Sequence, residues 1–123
     1  MPKFELLLTS EFSAAHQLRL ADGAIEPLHG HNWNVEVYLE GQKLDSIDVL
    51  ADFTVLQPRL KSITDRLHDT FLNDHSKFSG SNPSTELVAK LIHDEFVPSV
   101  PPNVKITKVR VWETRTCAAA YVP

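Results

Sequence analysis

Alternation of apolar and polar residues predicts four strands, with two stretches of helical period between the second and the third. Residues 3–16 place Phe4, Leu6 and Leu8 on one face and Glu5, Leu7 and Thr9 on the other; Leu7 breaks the alternation, which reads as cover on both faces. A loop at 17–28, marked by Asp22-Gly23 and Pro27, leads to the clearest strand. There Trp33, Val35, Val37 and Leu39 face one way, Asn34, Glu36, Tyr38 and Glu40 the other, and Gly41 ends the run. Residues 42–53 read as a connection. The spacing Leu56, Leu60, Ile63, Leu67 then predicts one apolar helical stripe, and Pro58, tolerated near a helix start, puts that start at 54–57. Residues 70–81 are polar and loop-like. Asn82-Pro83 reads as the cap and first residue of a second helix, with Leu87, Val88, Leu91, Ile92 and Phe96 inward and an end before Pro98. After a proline-rich linker at 97–103, Val104 and Ile106 share one parity while Val109, Val111 and Glu113 take the other, which predicts a β-bulge near Thr107-Lys108. A turn at 113–116 and a strand at 117–122 complete the order β-β-α-α-β-β.

At 123 residues the chain fits one domain, 1–123. A net charge of −4 with no basic run argues against a nucleic-acid partner or a membrane surface. The single cysteine, Cys117, leaves no internal disulfide, and Leu6-Leu7-Leu8 is too short for a signal core or a membrane span. The expectation is a soluble, cytoplasmic protein.

The candidate chemistry gathers at Leu28-His29-Gly30-His31-Asn32. Side chains i and i+2 leave a strand on the same face, so His29 and His31 point together, with Gly30 leaving room on the other face. Two histidines alone also fit a solvated strand end. His16 changes that picture, because pairing of the first two strands as an antiparallel hairpin brings it beside the pair. Three imidazoles are the ligand set of a catalytic zinc with one open position. Trp33 and Trp112 read as packing residues, and His93 as a surface histidine. Arg19, Arg110 and Arg115 are candidates for an anionic group that the sequence alone does not place.

The ordered blocks Phe12-Ser13-Ala14-Ala15-His16, Leu28-His29-Gly30-His31-Asn32, Asp52-Phe53 with Leu56, Leu67 with Leu72-Asn73, Asn82-Pro83-Ser84-Thr85-Glu86 and Trp112-Glu113-Thr114 resemble the 6-pyruvoyl-tetrahydropterin synthase and 6-carboxy-tetrahydropterin synthase family across nearly the whole chain. The resemblance implies the α+β tunnelling fold, a four-stranded antiparallel sheet with two helices on one face. It also implies closure of three subunits into a barrel and stacking of two trimers into a homohexamer. Zinc ligands fall on His16, His29 and His31, the pterin-anchoring glutamate on Glu113, and further pterin contacts on Ser84, Thr85 and Glu86. The implied substrate is 7,8-dihydroneopterin triphosphate, with zinc as Lewis acid on its side-chain hydroxyls.

Two departures bear on catalysis. Family members carry a cysteine a few residues before the His-Gly-His pair, whereas residues 17–28 hold none; Glu26 is the nearest substitute. The Asp-His pair expected at the end of the first helix is written His68-Asp69, and Asp74-His75 offers the usual order farther on. The catalytic candidates are therefore Glu26, His68 and Asp69. Glutamate in place of cysteine resembles a subgroup that releases 6-hydroxymethyl-7,8-dihydropterin for folate, and a pterin-binding homologue with little turnover is the third alternative. The choice among queuosine, biopterin and folate pathways stays open at this stage.

Overall fold

The computed structural model describes residues 1–123. Strand β1 (Phe4–His16) pairs with β2 (His29–Gly41) as an antiparallel hairpin in unbroken register, from Phe4 opposite Gly41 to His16 opposite His29. Helix α1 (Phe53–Leu67) begins one residue before the predicted window, because the Asp52 carboxylate accepts the Thr54 N–H at 2.9 Å and caps it there. Pro58 consequently sits in the second turn of α1. The stripe Leu56, Leu60, Ile63, Leu67 is buried as expected.

The first correction is a fifth strand. Asp69, in the left-handed region at φ 57°, turns the chain back after α1, so that β3 (Thr70–Phe71) runs parallel to β1 beside Ala14 and Ala15. Two residues carry no readable period, and the remainder of 70–81 is mostly short 3₁₀ turns. The second correction concerns α2 (Thr85–Phe96). Its cap is Ser84, whose hydroxyl accepts the Leu87 N–H at 3.2 Å, and Asn82-Pro83 lies outside the helix. Leu87 faces solvent, whereas Val88, Leu91, Ile92 and Phe96 are buried. A 3₁₀ turn at Val97–Ser99 carries Pro98.

Strand β4 (Lys105–Trp112) pairs antiparallel with β2, and its register shifts between Tyr38 and Leu39, opposite Thr107, where the change of parity predicts a bulge. Strand β5 (Ala118–Tyr121) is shorter than the predicted 117–122 and completes the order β3-β1-β2-β4-β5. Helix α1 packs on β1 and α2 on β4 and β5, so both cover one face. A single cluster of 24 buried apolar residues fills the space between sheet and helices. The opposite face is polar. Trp112 lies there rather than in the core, donating its indole N–H to Glu36 at 3.1 Å. Leu7, on the same face, is 45% exposed and has no cover within the chain. His93 is less exposed than expected, packed 4.8 Å from the Tyr121 ring and bonded to Asp94 at 2.9 Å.

Candidate metal centre and pterin site

The last rung of the β1–β2 ladder sets His16 against His29, and two rungs inward His31 faces Ala14. All three rings lie on the face that carries Trp33, with centroids 4.7 Å (His16–His29), 4.8 Å (His29–His31) and 5.3 Å (His16–His31) apart. Trp33 is fully buried beneath them, edge-on to His16 at 4.9 Å and to His31 at 5.4 Å, and its indole N–H is fixed on the Ala14 carbonyl at 3.1 Å. The core thus supplies a rigid floor for the imidazoles.

Two carbonyls then decide which way two of the rings present their lone pairs. His16 Nδ1 lies 2.8 Å from Pro83 O and His29 Nδ1 lies 2.8 Å from Pro27 O. A carbonyl only accepts, so Nδ1 carries the proton in both rings and Nε2 is left as a donor of electrons, the arrangement found around metal-bound histidines. Glu113 continues the inward parity of Val109 and Val111 into the same space. Its Oε1 stands 3.0 Å from His16 Nε2 and 3.1 Å from His31 Nε2.

Neither Nε2 has a hydrogen-bond partner although both are buried. For His16, whose proton is held on Nδ1 by Pro83 O, the Nε2 lone pair faces the Glu113 carboxylate at 3.0 Å; two such lone pairs repel, and a cation between them resolves the conflict. Potential ligand atoms of His16, His29, His31 and Glu113 all fall within 4.8 Å of each other, so the three imidazoles fit a zinc-sized ion with the Glu113 carboxylate at its border. Burial lowers the pKa of His31 despite the opposing pull of Glu113, which keeps that ring in the neutral, ligating form.

The other sequence candidates separate. Glu26 comes to the cluster: its Oε1 is 3.7 Å from His29 Nε2 and accepts the Leu18 N–H at 2.9 Å. His68 caps the end of α1, and its Nδ1 accepts the Ser13 N–H at 3.0 Å, on the edge of β1. Its Nε2 lies 3.4 Å from Asp69 Oδ2. Asp69 in turn lines an open cleft of about 610 Å³ together with His31, Ser13 and Asn32. His75 stands among the 3₁₀ turns with Nδ1 accepting from Lys77 N at 3.1 Å.

Of the helix-start residues, Ser84 is engaged as the cap, Thr85 is buried and Glu86 is exposed. Pro83, just before them, is the residue that holds His16. Sequence reasoning missed these orienting carbonyls, Pro27 and Pro83, since any residue supplies a carbonyl; their positions next to the histidine and helix-start blocks were the available signal.

Comparison with known proteins follows the same lines. A family described as 6-pyruvoyl tetrahydropterin synthase matches residues 5–123. The chain is 34% identical to 6-carboxy-5,6,7,8-tetrahydropterin synthase of Bacillus subtilis over 128 residues, covering 98% of this chain and 86% of the relative. It is 28% identical to dihydroneopterin monophosphate aldolase of Pyrococcus furiosus over 111 residues, 90% of either chain. Among solved structures, 6-pyruvoyl tetrahydropterin synthase of Caenorhabditis elegans superposes with TM-score 0.82 at 22% identity, covering 100% of this chain and 97% of the other. A Plasmodium vivax 6-pyruvoyltetrahydropterin synthase, described as a catalytic-residue mutant with glutamate changed to cysteine, gives 0.83 at 20% identity, covering 98% of both.

Proposed function

Because the chain belongs to the 6-pyruvoyl tetrahydropterin synthase family, we propose that it is a zinc-dependent pterin lyase acting on 7,8-dihydroneopterin triphosphate. The observation that carries this reading is the convergence of the His16, His29 and His31 Nε2 atoms, two of them buried without a hydrogen bond, beside the carboxylate of Glu26. Zinc bound by the three imidazoles would supply Lewis acidity toward the substrate's side-chain hydroxyls.

Glu26 takes the proton released from the substrate side chain, a role open to a carboxylate that is ionised at neutral pH. Glu113 accepts the paired N–H groups of the pterin's amino-pyrimidinone edge, which orients the ring toward the imidazoles. Ser84, Thr85 and Glu86 hold the ring from the start of α2. His68 has Nδ1 engaged by a backbone amide, so its other nitrogen carries the proton and, with Asp69 on the rim of the cleft beside His31, returns one to the product. Two open sheet edges, β5 and the part of β1 beyond β3, favour closure with further copies of the chain into a homohexamer. No helix is long and apolar enough to cross a membrane, in keeping with the cytoplasmic location proposed here.

A second reading is favoured by Glu26 itself. The Plasmodium vivax protein is described with a catalytic glutamate, and the Pyrococcus furiosus relative is named as an aldolase. On that reading the chain cleaves the pterin side chain and releases 6-hydroxymethyl-7,8-dihydropterin. Chromatography of the products from 7,8-dihydroneopterin triphosphate, with wild type and Glu26→Gln, tests both. Wild type is expected to consume the substrate, and Glu26→Gln to bind pterin while turning over about 10²-fold more slowly or worse, the scale of general-base loss. The 6-hydroxymethyl product selects the second reading. Pterin binding without turnover by wild type reduces the chain to a binding homologue, and full turnover by Glu26→Gln removes the glutamate from the base role.

A further inference from the structure

The segment 17–19, just past the end of β1, is bonded along both edges, and the partners on one edge are side chains. Asn73 Oδ1 accepts the Gln17 N–H at 2.9 Å while its Nδ2 donates to Gln17 O at 2.8 Å. Asn82 repeats the pattern on Arg19, accepting from N at 2.7 Å and donating to O at 2.9 Å. In an extended chain, residues i and i+2 present their N–H and C=O groups to the same edge. The two carboxamides therefore stand where a neighbouring strand would, and among common side chains a carboxamide can both accept from and donate to one residue in this way.

Leu18, between them, must turn its own N–H and C=O to the opposite edge. Both of those groups are taken by Glu26: its Oε1 accepts the Leu18 N–H at 2.9 Å, and its backbone N–H donates to Leu18 O at 3.1 Å. Gln17 Nε2 reaches Glu26 O at 3.3 Å, and Arg19 bridges to Ile25. The carboxylate is thereby pinned at one oxygen to an amide that the two asparagines hold in place.

We propose that Asn73 and Asn82 are positioning residues for Glu26, acting through the backbone of residues 17–19; the inference rests on the reading of Glu26 as the proton acceptor. It also gives Asn82 a task other than capping α2. The same short stretch carries Pro83, whose carbonyl orients His16, so the segment before α2 sets both the general base and one metal ligand.

The test uses Asn82→Ala and Asn73→Ala in the full chain, with Asn82→Asp as a second variant. Aspartate keeps the acceptor for Arg19 N and sets a carboxylate oxygen against Arg19 O where the donor stood, so it is expected to act in the same direction as Asn82→Ala. Turnover of 7,8-dihydroneopterin triphosphate is measured in the wild-type and Glu26→Gln backgrounds, and hydrogen exchange of the Leu18 amide is followed by NMR. Asn82→Ala is expected to lower kcat by about 10- to 100-fold, the cost of misplacing a reacting group by an ångström or less, with KM within about 2-fold. Leu18 exchange accelerates, and the kcat loss disappears in the Glu26→Gln background, where no base is left to position. An equal loss in both backgrounds, or unchanged kcat with the Leu18 amide exposed, overturns the proposal. Normal turnover by Glu26→Gln instead removes the base assignment, and the clamp is then judged by Leu18 exchange alone: protection lost in Asn82→Ala supports it, protection kept overturns it.

Discussion

A cluster of three histidines and a histidine–aspartate pair meet the sheet near the end of β1, and they differ in what fixes them. His16, His29 and His31 are placed by strand register: one face, one ladder, and an inward parity shared with Trp33. Each of His16 and His29 has a carbonyl on Nδ1, and the cluster sits on the core. His68 and Asp69 are placed by the end of a helix. His68 is half exposed, Asp69 largely so, and the pair is attached to β1 through the Ser13 backbone. His68 leaves α1 with extended backbone and Asp69 follows at positive φ, so the two side chains meet at 3.4 Å yet stay outside the group formed by His16, His29, His31 and Glu113. Register brings three distant side chains into a metal-sized cluster, while the helix end leaves two sequence neighbours lining separate open clefts, Asp69 beside His31 and His68 beside Lys61 and Asp65.

Removing the floor of one group and the anchor of the other separates them most. Trp33→Ala deletes a fully buried ring that touches Phe12, His16 and His31, so unfolding in urea should show a loss of about 3–5 kcal/mol. An effect below about 1 kcal/mol would mean that the cluster does not depend on the core beneath it. His68→Ala removes a single hydrogen bond to a backbone amide at the edge of the sheet, and the same measurement should show about 0.5–1.5 kcal/mol. A cost as large as that of Trp33 would place His68 with the structural group and erase the contrast.

The same contrast governs what could be read from the sequence. Period-2 patterning gives the β1–β2 hairpin, and the hairpin gives the histidine cluster, because register is a backbone property that side-chain parity reports. The bulge at Thr107 was legible for the same reason, as a change of parity between Ile106 and Val109. Features that depend on which partner reaches a side chain were not legible. Asn82 reads as a cap until Arg19 is seen to occupy its carboxamide, and Ser84 then caps α2 instead. Trp112 reads as core until Glu36 is found opposite its indole N–H, and His93 reads as surface until Tyr121 covers it. Strand β3 escapes because its two residues pair through a turn made at Asp69, with no periodicity of their own.

The central claim, that strand register builds the metal centre and the helix end does not, is tested most directly by metal analysis of purified wild type, His29→Ala and His68→Ala after equilibration with zinc. Wild type and His68→Ala are expected to keep one zinc ion per chain, the stoichiometry of a three-histidine site, and His29→Ala to lose it. Full zinc content in His29→Ala, or its loss in His68→Ala, would contradict the account.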